Sequence, residues 1–107
     1  MNEKSLAKMR EYRKLLQELT NGLVMTAQSQ KRDDYRINGL LREYYDLVGK
    51  KLYTFDEWKE QNYSIKKGEH AYHFWGKPIA RNDGNGQYCP IAFLFSQDQV
   101  MINAVAA

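Results

Sequence analysis

Cysteine and proline are almost missing from this chain: there is one Cys, at position 89, and two Pro, at 78 and 90. A lone cysteine cannot close an intramolecular disulfide, so a disulfide-stapled secreted fold is excluded. Cys89 stands between Tyr88 and Pro90 in an apolar run, where it reads as a small buried hydrophobe rather than a reactive thiol. No apolar run approaches the ~20 residues that a membrane-spanning helix needs. Met1-Asn2-Glu3-Lys4-Ser5 has neither the apolar core nor the small-residue cleavage site of a secretory leader, so the expected compartment is the cytoplasm.

Histidine is equally scarce. His70 and His73 are the only two, and three residues apart on a strand they face opposite sides. No second cysteine or third histidine completes a tetrahedral zinc site, and there is no His-Glu-x-x-His sequence. A nucleophile elbow and a phosphate loop are also missing. Gly84-Asn85-Gly86 lacks the strand-to-helix context that gives such glycines a phosphate, and reads as a turn. The expectation is a binding protein without catalysis, metal or cofactor.

What the chain does have is an ordinary globular balance, with 43% hydrophobic and 27% charged residues in 107. That length buries one core, so a single domain over 1–107 is expected. Aromatic residues are abundant: eight Tyr, four Phe and two Trp, all but Tyr12 at or after Tyr35. The net charge of +3 is unevenly spread. Residues 1–51 hold eleven basic and seven acidic side chains, residues 52–107 five and six. Such asymmetry suits an anionic partner, and it equally suits solvated helix faces.

Helical periodicity comes first. Met9, Tyr12, Leu16, Leu19 and Leu23 recur at helix spacing, which predicts a helix from Glu3 to Thr20 with Asn21-Gly22 as its stop. Whether helix resumes at Leu23–Ala27 is left open by the pattern. The polar stretch Gln28–Arg36 reads as a loop. A second helix is expected over Ile37–Val48, ended by Gly49, with Leu40, Leu41, Tyr44 and Leu47 or Val48 inward. Thr54-Phe55-Asp56-Glu57 is a capping box, opening a short third helix to Gln61 that aims Phe55 and Trp58 at the core.

From Tyr63 the pattern turns extended. Tyr63–Lys67 alternates, and His70–Ile79 and Gln87–Phe95 flank Arg81-Asn82-Asp83-Gly84-Asn85-Gly86, a segment tolerant of positive φ. Two such runs make a β-hairpin. Pro78 and Pro90, without an N–H, belong at strand ends or edges. Gln97–Ala107 is expected to dock a last short element through Val100, Met101 and Ile102. The predicted fold class is α+β: about three helices packed on a small curved antiparallel sheet with a C-terminal β-hairpin.

The candidate chemistry lies in aromatic and basic residues interleaved. Tyr63-x-x-Lys66-Lys67 is followed by Tyr72-His73-Phe74-Trp75-x-Lys77 and then Arg81, with Tyr88 returning on the partner strand. Single-stranded nucleic acid is held by aromatic faces that stack on bases while Lys and Arg track phosphates. Lys66 and Lys67 before Gly68 are candidate phosphate contacts, and Arg36, Lys77 and Arg81 join them on electrostatic grounds. Tyr72 and Trp75 alternate across their strand, so one serves as a stacking platform if the other packs inward. Asn38 either caps the second helix or touches nucleic acid.

Five blocks in order resemble the N-terminal domain of ArdC-type antirestriction proteins of bacterial plasmids, phages and conjugative elements. They are Tyr35-Arg36-Ile37-Asn38-Gly39-Leu40-Leu41, Tyr53-Thr54-Phe55-Asp56-Glu57-Trp58, Ile65-Lys66-Lys67-Gly68-Glu69, Phe74-Trp75-Gly76-Lys77-Pro78 and Phe95-Ser96-Gln97-Asp98-Gln99-Val100. The resemblance is strongest over 35–100. It departs from the family pattern in having no Gly between Tyr35 and Asn38, and Leu23-Val24-Met25-Thr26 where a Pro-Trp pair is usual. It implies a single-stranded DNA-binding domain of mobile-element origin, free of the metallopeptidase-like domain that larger members append. Two other functions stand beside it: a protein-binding inhibitor of a host defence enzyme, and a structural or dimerisation module built on the first helix's apolar stripe. The oligomeric state is not readable from the sequence.

Overall fold

The structure, a computed structural model, describes residues 2–104. They form two compact units, Met1–Asp46 and Leu47–Ala107, and together carry three helices and small antiparallel sheets, an α+β class.

The first unit is helical. Helix α1 spans Glu3–Ser29 and is capped by Asn2, whose side chain accepts from the Ser5 N–H at 2.9 Å. It therefore runs nine residues past the expected stop at Thr20. Gly22 sits within it at a cost of about 1 kcal/mol against alanine. Gln17 donates to the Asn21 side chain at 3.0 Å, and the Thr26 hydroxyl donates to the Gly22 carbonyl at 3.0 Å. The true end is a Schellman motif in which Lys31 takes the left-handed position, φ 59°. Its N–H reaches Gln28 O at 3.0 Å, and Arg32 N–H reaches Ala27 O at 2.9 Å.

Helix α2 spans Ile37–Tyr44, with Leu40 and Leu41 buried. It stops short of Val48 because Asp46 adopts φ 60° directly after the Tyr45 cap, ahead of Gly49. Arg32 and Glu43 tie its far side to the preceding loop through paired bonds of 3.1 Å each. The guanidinium holds the Glu43 carboxyl below its ordinary range, and the carboxylate raises Arg32 in turn.

The second unit begins with strand β1, Leu52–Tyr53, and helix α3, Phe55–Glu60. The capping box is present in full. Glu57 N–H donates to the Thr54 hydroxyl at 3.2 Å, and Thr54 N–H donates to the Glu57 carboxylate at 2.8 Å. Trp58 is 3% exposed, as its place on α3 predicts, but Phe55 is 54% exposed and does not share the core. Trp58 has Tyr53, Tyr63 and the Phe95 carbonyl to pack against, whereas Phe55, at the first helical position, stays in solvent. The Trp58 ring meets Tyr53 and Tyr63 edge-on, with centroids 4.9 and 5.2 Å away, and its Nε1–H donates to the Phe95 carbonyl at 2.8 Å.

Strands β2 (Tyr63–Ile65), β3 (Tyr72–Trp75), β4 (Ile79–Ala80), β5 (Gln87–Tyr88), β6 (Ile91–Ser96) and β7 (Val100–Ile102) follow. All pairings are antiparallel, but they form three small sheets rather than one: β1-β6-β3, β2-β7 and β4-β5. The C-terminal strand pairs with β2, Ile65 opposite Val100 and Tyr63 opposite Ile102. Val100 is buried as expected, while Met101 and Ile102 are exposed; Val105–Ala107 lie outside the described residues.

A one-turn 3-10 helix, Gln97–Gln99, carries the chain from β6 to β7 under a second capping box, Ser96 with Gln99. Gln99 is buried and fully engaged. Its carbonyl oxygen accepts from Ser96 N–H at 2.8 Å, and its amide donates to His70 O at 2.7 Å and the Glu69 carboxylate at 3.2 Å. The Phe-Ser-x-x-Gln-Val block is thus a structural clasp.

Candidate nucleic-acid interface

Strand register decides which of the candidate residues share a surface. In the β3–β6 pair, Tyr72 lies opposite Leu94, His73 opposite Phe93, Phe74 opposite Ala92 and Trp75 opposite Ile91. Gly76 N–H donates to the Pro90 carbonyl at 2.7 Å. By the alternation of an antiparallel ladder, the His73–Phe93 and Trp75–Ile91 pairs are then the close, non-hydrogen-bonded ones. The His73 and Phe93 rings do meet, centroids 5.0 Å apart at 85°.

One face of the sheet therefore groups Trp75, His73 and Phe93, and runs on to Phe95 opposite Tyr53 on β1, where the Tyr53 ring packs against the buried Trp58. Apart from Trp58, all are partly exposed. The opposite face carries Phe74, 2% exposed, with Tyr72, Ala92 and Leu94. Tyr72 thus shares the face of the buried Phe74, and Trp75 the aromatic one. His73 was read in the interleaved run but not as a binding candidate, and Phe93 was not read as one at all; only the register joins them to Trp75. Burial holds the His73 imidazole below its ordinary value of 6.5, so it stands on this face as a neutral ring at neutral pH.

Beyond Trp75 the hairpin changes character. From Gly76–Pro90 to the next pair, Ile79 opposite Tyr88, one strand advances three residues and the other two, so Lys77-Pro78 holds a one-residue bulge. Gly76 lets the two strands approach closely at this joint, where a Cβ would crowd Pro90 Cγ at 3.1 Å and Pro90 O at 3.2 Å. Pro78 and Pro90 both fall between strands, as expected. Cys89, beside the joint, is partly exposed rather than buried.

The short strands β4 and β5 then form an arm on which every residue from Lys77 to Tyr88 is exposed. Its tip is a turn closed by Gly84 N–H on Arg81 O at 3.2 Å, with Gly84 and Gly86 at φ 76° and 90°. The Asp83 carboxylate accepts from Asn85 N–H at 2.9 Å. Arg81 lies over the Tyr88 ring, its guanidinium carbon 5.6 Å from the centroid.

Lys66 and Lys67 occupy the turn that leads from β2 toward β3. Glu69 N–H closes it on Lys66 O at 3.2 Å, and Gly68 has φ 87°. Both lysines are exposed, and the Lys66 ammonium donates to the Asp98 carbonyl at 3.1 Å. The Asp98 carboxylate holds Lys50 at 2.9 Å. Six of the eight candidates, Lys66, Lys67, Tyr72, Trp75, Lys77 and Arg81, thus belong to the second unit. Arg36 and Asn38 belong to the first. Arg36 occupies the N-cap position of α2 without a side-chain cap bond, and Asn38 follows in the first turn, so it does not cap the helix.

No family model, curated protein or solved structure matches this chain. Among the described residues no three His, Cys, Asp or Glu side chains come together to hold a metal ion. No helix among them is long and apolar enough to cross a membrane.

Proposed function

We propose that this chain is a non-catalytic single-stranded DNA-binding protein of antirestriction type, acting in the cytoplasm of a bacterium that carries a mobile element. The observation that supports it best is the aromatic sheet face of Trp75, His73 and Phe93, with Lys77 two residues beyond Trp75 and the Lys66-Lys67 turn leading into the same strand. Bases stack on such rings whatever their sequence, and nearby lysines neutralise phosphates. The five blocks over 35–100 that resemble the ArdC-type N-terminal domain point to the same ligand.

Fluorescence anisotropy with labelled single- and double-stranded oligonucleotides at several salt concentrations tests the reading. Each phosphate neutralised contributes a slope of roughly −0.7 in log affinity against log salt, so three or four contacts give about −2 to −3. Replacing Lys66 and Lys67 together by Ala is expected to weaken binding to every sequence and to flatten the slope by about one unit. Trp75→Ala is expected to cost about 1–3 kcal/mol with the slope kept. A folded, monodisperse sample that binds no single strand at low salt refutes the proposal and leaves inhibition of a defence protein in front.

A further inference from the structure

We infer that the β4–β5 arm is a second, separate stacking element, on which Tyr88 takes a nucleobase while Arg81 holds the adjoining phosphate. This rests on the reading of the chain as a single-strand binder. An isolated two-stranded hairpin is at best marginal in water, and this one carries two large apolar side chains into solvent. Ile79 and Tyr88 face each other across it and are 47% and 38% exposed.

Arg81 has a specific relation to Tyr88. A guanidinium set over a ring is attracted by the ring's quadrupole and fixes the tyrosine's position, while its rim of N–H donors still fits a phosphate. The charge balance of the arm points the same way. Lys77 and Arg81 are its basic groups, and its single acid, Asp83, accepts a hydrogen bond from Asn85 N–H inside the turn. A planar cation beside an aromatic face suits a ligand that offers a planar base and an anion side by side, which is an unstacked nucleotide.

The joint at Gly76, Pro78 and Pro90 separates the arm from the sheet, so both sites can act on one strand. A base in a duplex has both faces covered by its neighbours. The arm is therefore selective for single strands.

The test compares wild type with Tyr88→Leu, Tyr88→Phe and Arg81→Gln, using a labelled oligothymidine strand and its duplex. Tyr88→Leu is expected to weaken single-strand binding about 5- to 150-fold with an unchanged salt slope, and Tyr88→Phe to keep near wild-type affinity. Arg81→Gln should weaken binding and flatten the slope by about 0.7. Thermal melts monitor folding. Independently of any variant, a strand carrying 4-thiothymidine, irradiated on wild-type protein, should crosslink within the peptide that contains Tyr88.

Wild type that binds the oligonucleotide, with Tyr88→Leu indistinguishable from it or with crosslinks confined to other peptides, overturns the arm while leaving the broader reading intact. Equal affinity for strand and duplex overturns the arm as well. Wild type that binds neither removes the broader reading, and the arm's role goes with it.

Discussion

Trp58 offers the sharpest quantitative test of the second unit. Emptying a buried tryptophan site to alanine costs about 3–5 kcal/mol, including the cavity left behind. Within that figure lie two edge-on ring contacts at about 0.5–1.5 kcal/mol each and a hydrogen bond worth about 0.5–1.5 kcal/mol. At roughly 0.05–0.15 kcal/mol per residue, the Leu47–Ala107 unit has about 3–9 kcal/mol in total. Trp58→Ala is thus expected to remove a large share of its stability and to leave a substantial fraction unfolded. Trp58→Phe keeps most of the ring but strips the donor from the Phe95 carbonyl, and about 1–3 kcal/mol is expected for it. Urea unfolding, followed by far-UV circular dichroism and by the fluorescence of the remaining Trp75, gives both numbers. At an m-value near 1 kcal/mol/M, the alanine variant's midpoint should fall by about 3 M or be lost altogether. A Trp58→Ala midpoint within about 0.3 M of wild type would refute the placement of this ring in the core.

Two further expectations concern groups that the packing holds. Gln99→Ala leaves the Ser96 N–H and the His70 carbonyl without their side-chain partner, and about 1–3 kcal/mol should be lost in the same urea assay. An unchanged midpoint would show that the clasp does not hold the 3-10 turn. His73 titrates lower in the folded state than in the unfolded chain, where 6.5 is its ordinary value. The unfolded state therefore binds the proton first. The stabilising contribution is whole above pH 6.5 and is lost as pH falls toward and through the folded pKa. His73→Gln should flatten this part of the stability profile, and a variant with the wild-type slope below pH 6.5 would contradict it.

Local chemistry was readable from the chain and long-range chemistry was not. The Thr54–Glu57 box needs only residues three apart, and it stands as the sequence predicts. The ends of the first two helices were misread because the pattern assigned their left-handed positions to glycines, whereas the third ends at Gln61 as expected. The structure closes its helices on Lys31, Asp46 and Asn62, all non-glycine residues with φ between 59° and 68°. Gly22, the expected terminator, lies inside a helix instead. Phe55 shares a helix with Trp58 but not its burial, a difference set by packing partners that spacing does not name. In the candidate interface, Trp75 and the basic residues were visible as types, whereas its grouping with His73 and Phe93 depends on a register fixed across the hairpin. The bulge at Lys77-Pro78 gives the arm its own register, and no composition signal announces it.

The pairing of β2 with β7 has a consequence for how the molecule is made. Ser64 faces Met101, so closing this sheet brings together residues separated by most of the second unit. The entropy of closing a loop must be met before its contacts repay it, which makes such pairings late events in folding. During synthesis β2 is made before its partner, and at about 5–20 residues per second the interval is a few seconds. During that time Tyr63 and Ile65 stand on an unpaired strand edge, next to a Trp58 whose carbonyl partner, Phe95, is also still to come. The charged Lys66-Lys67 pair that follows immediately is well placed to keep this edge from joining a neighbouring chain. Two lysines read for their attraction to phosphate thus also stand where charge flanks a strand that must wait for its partner.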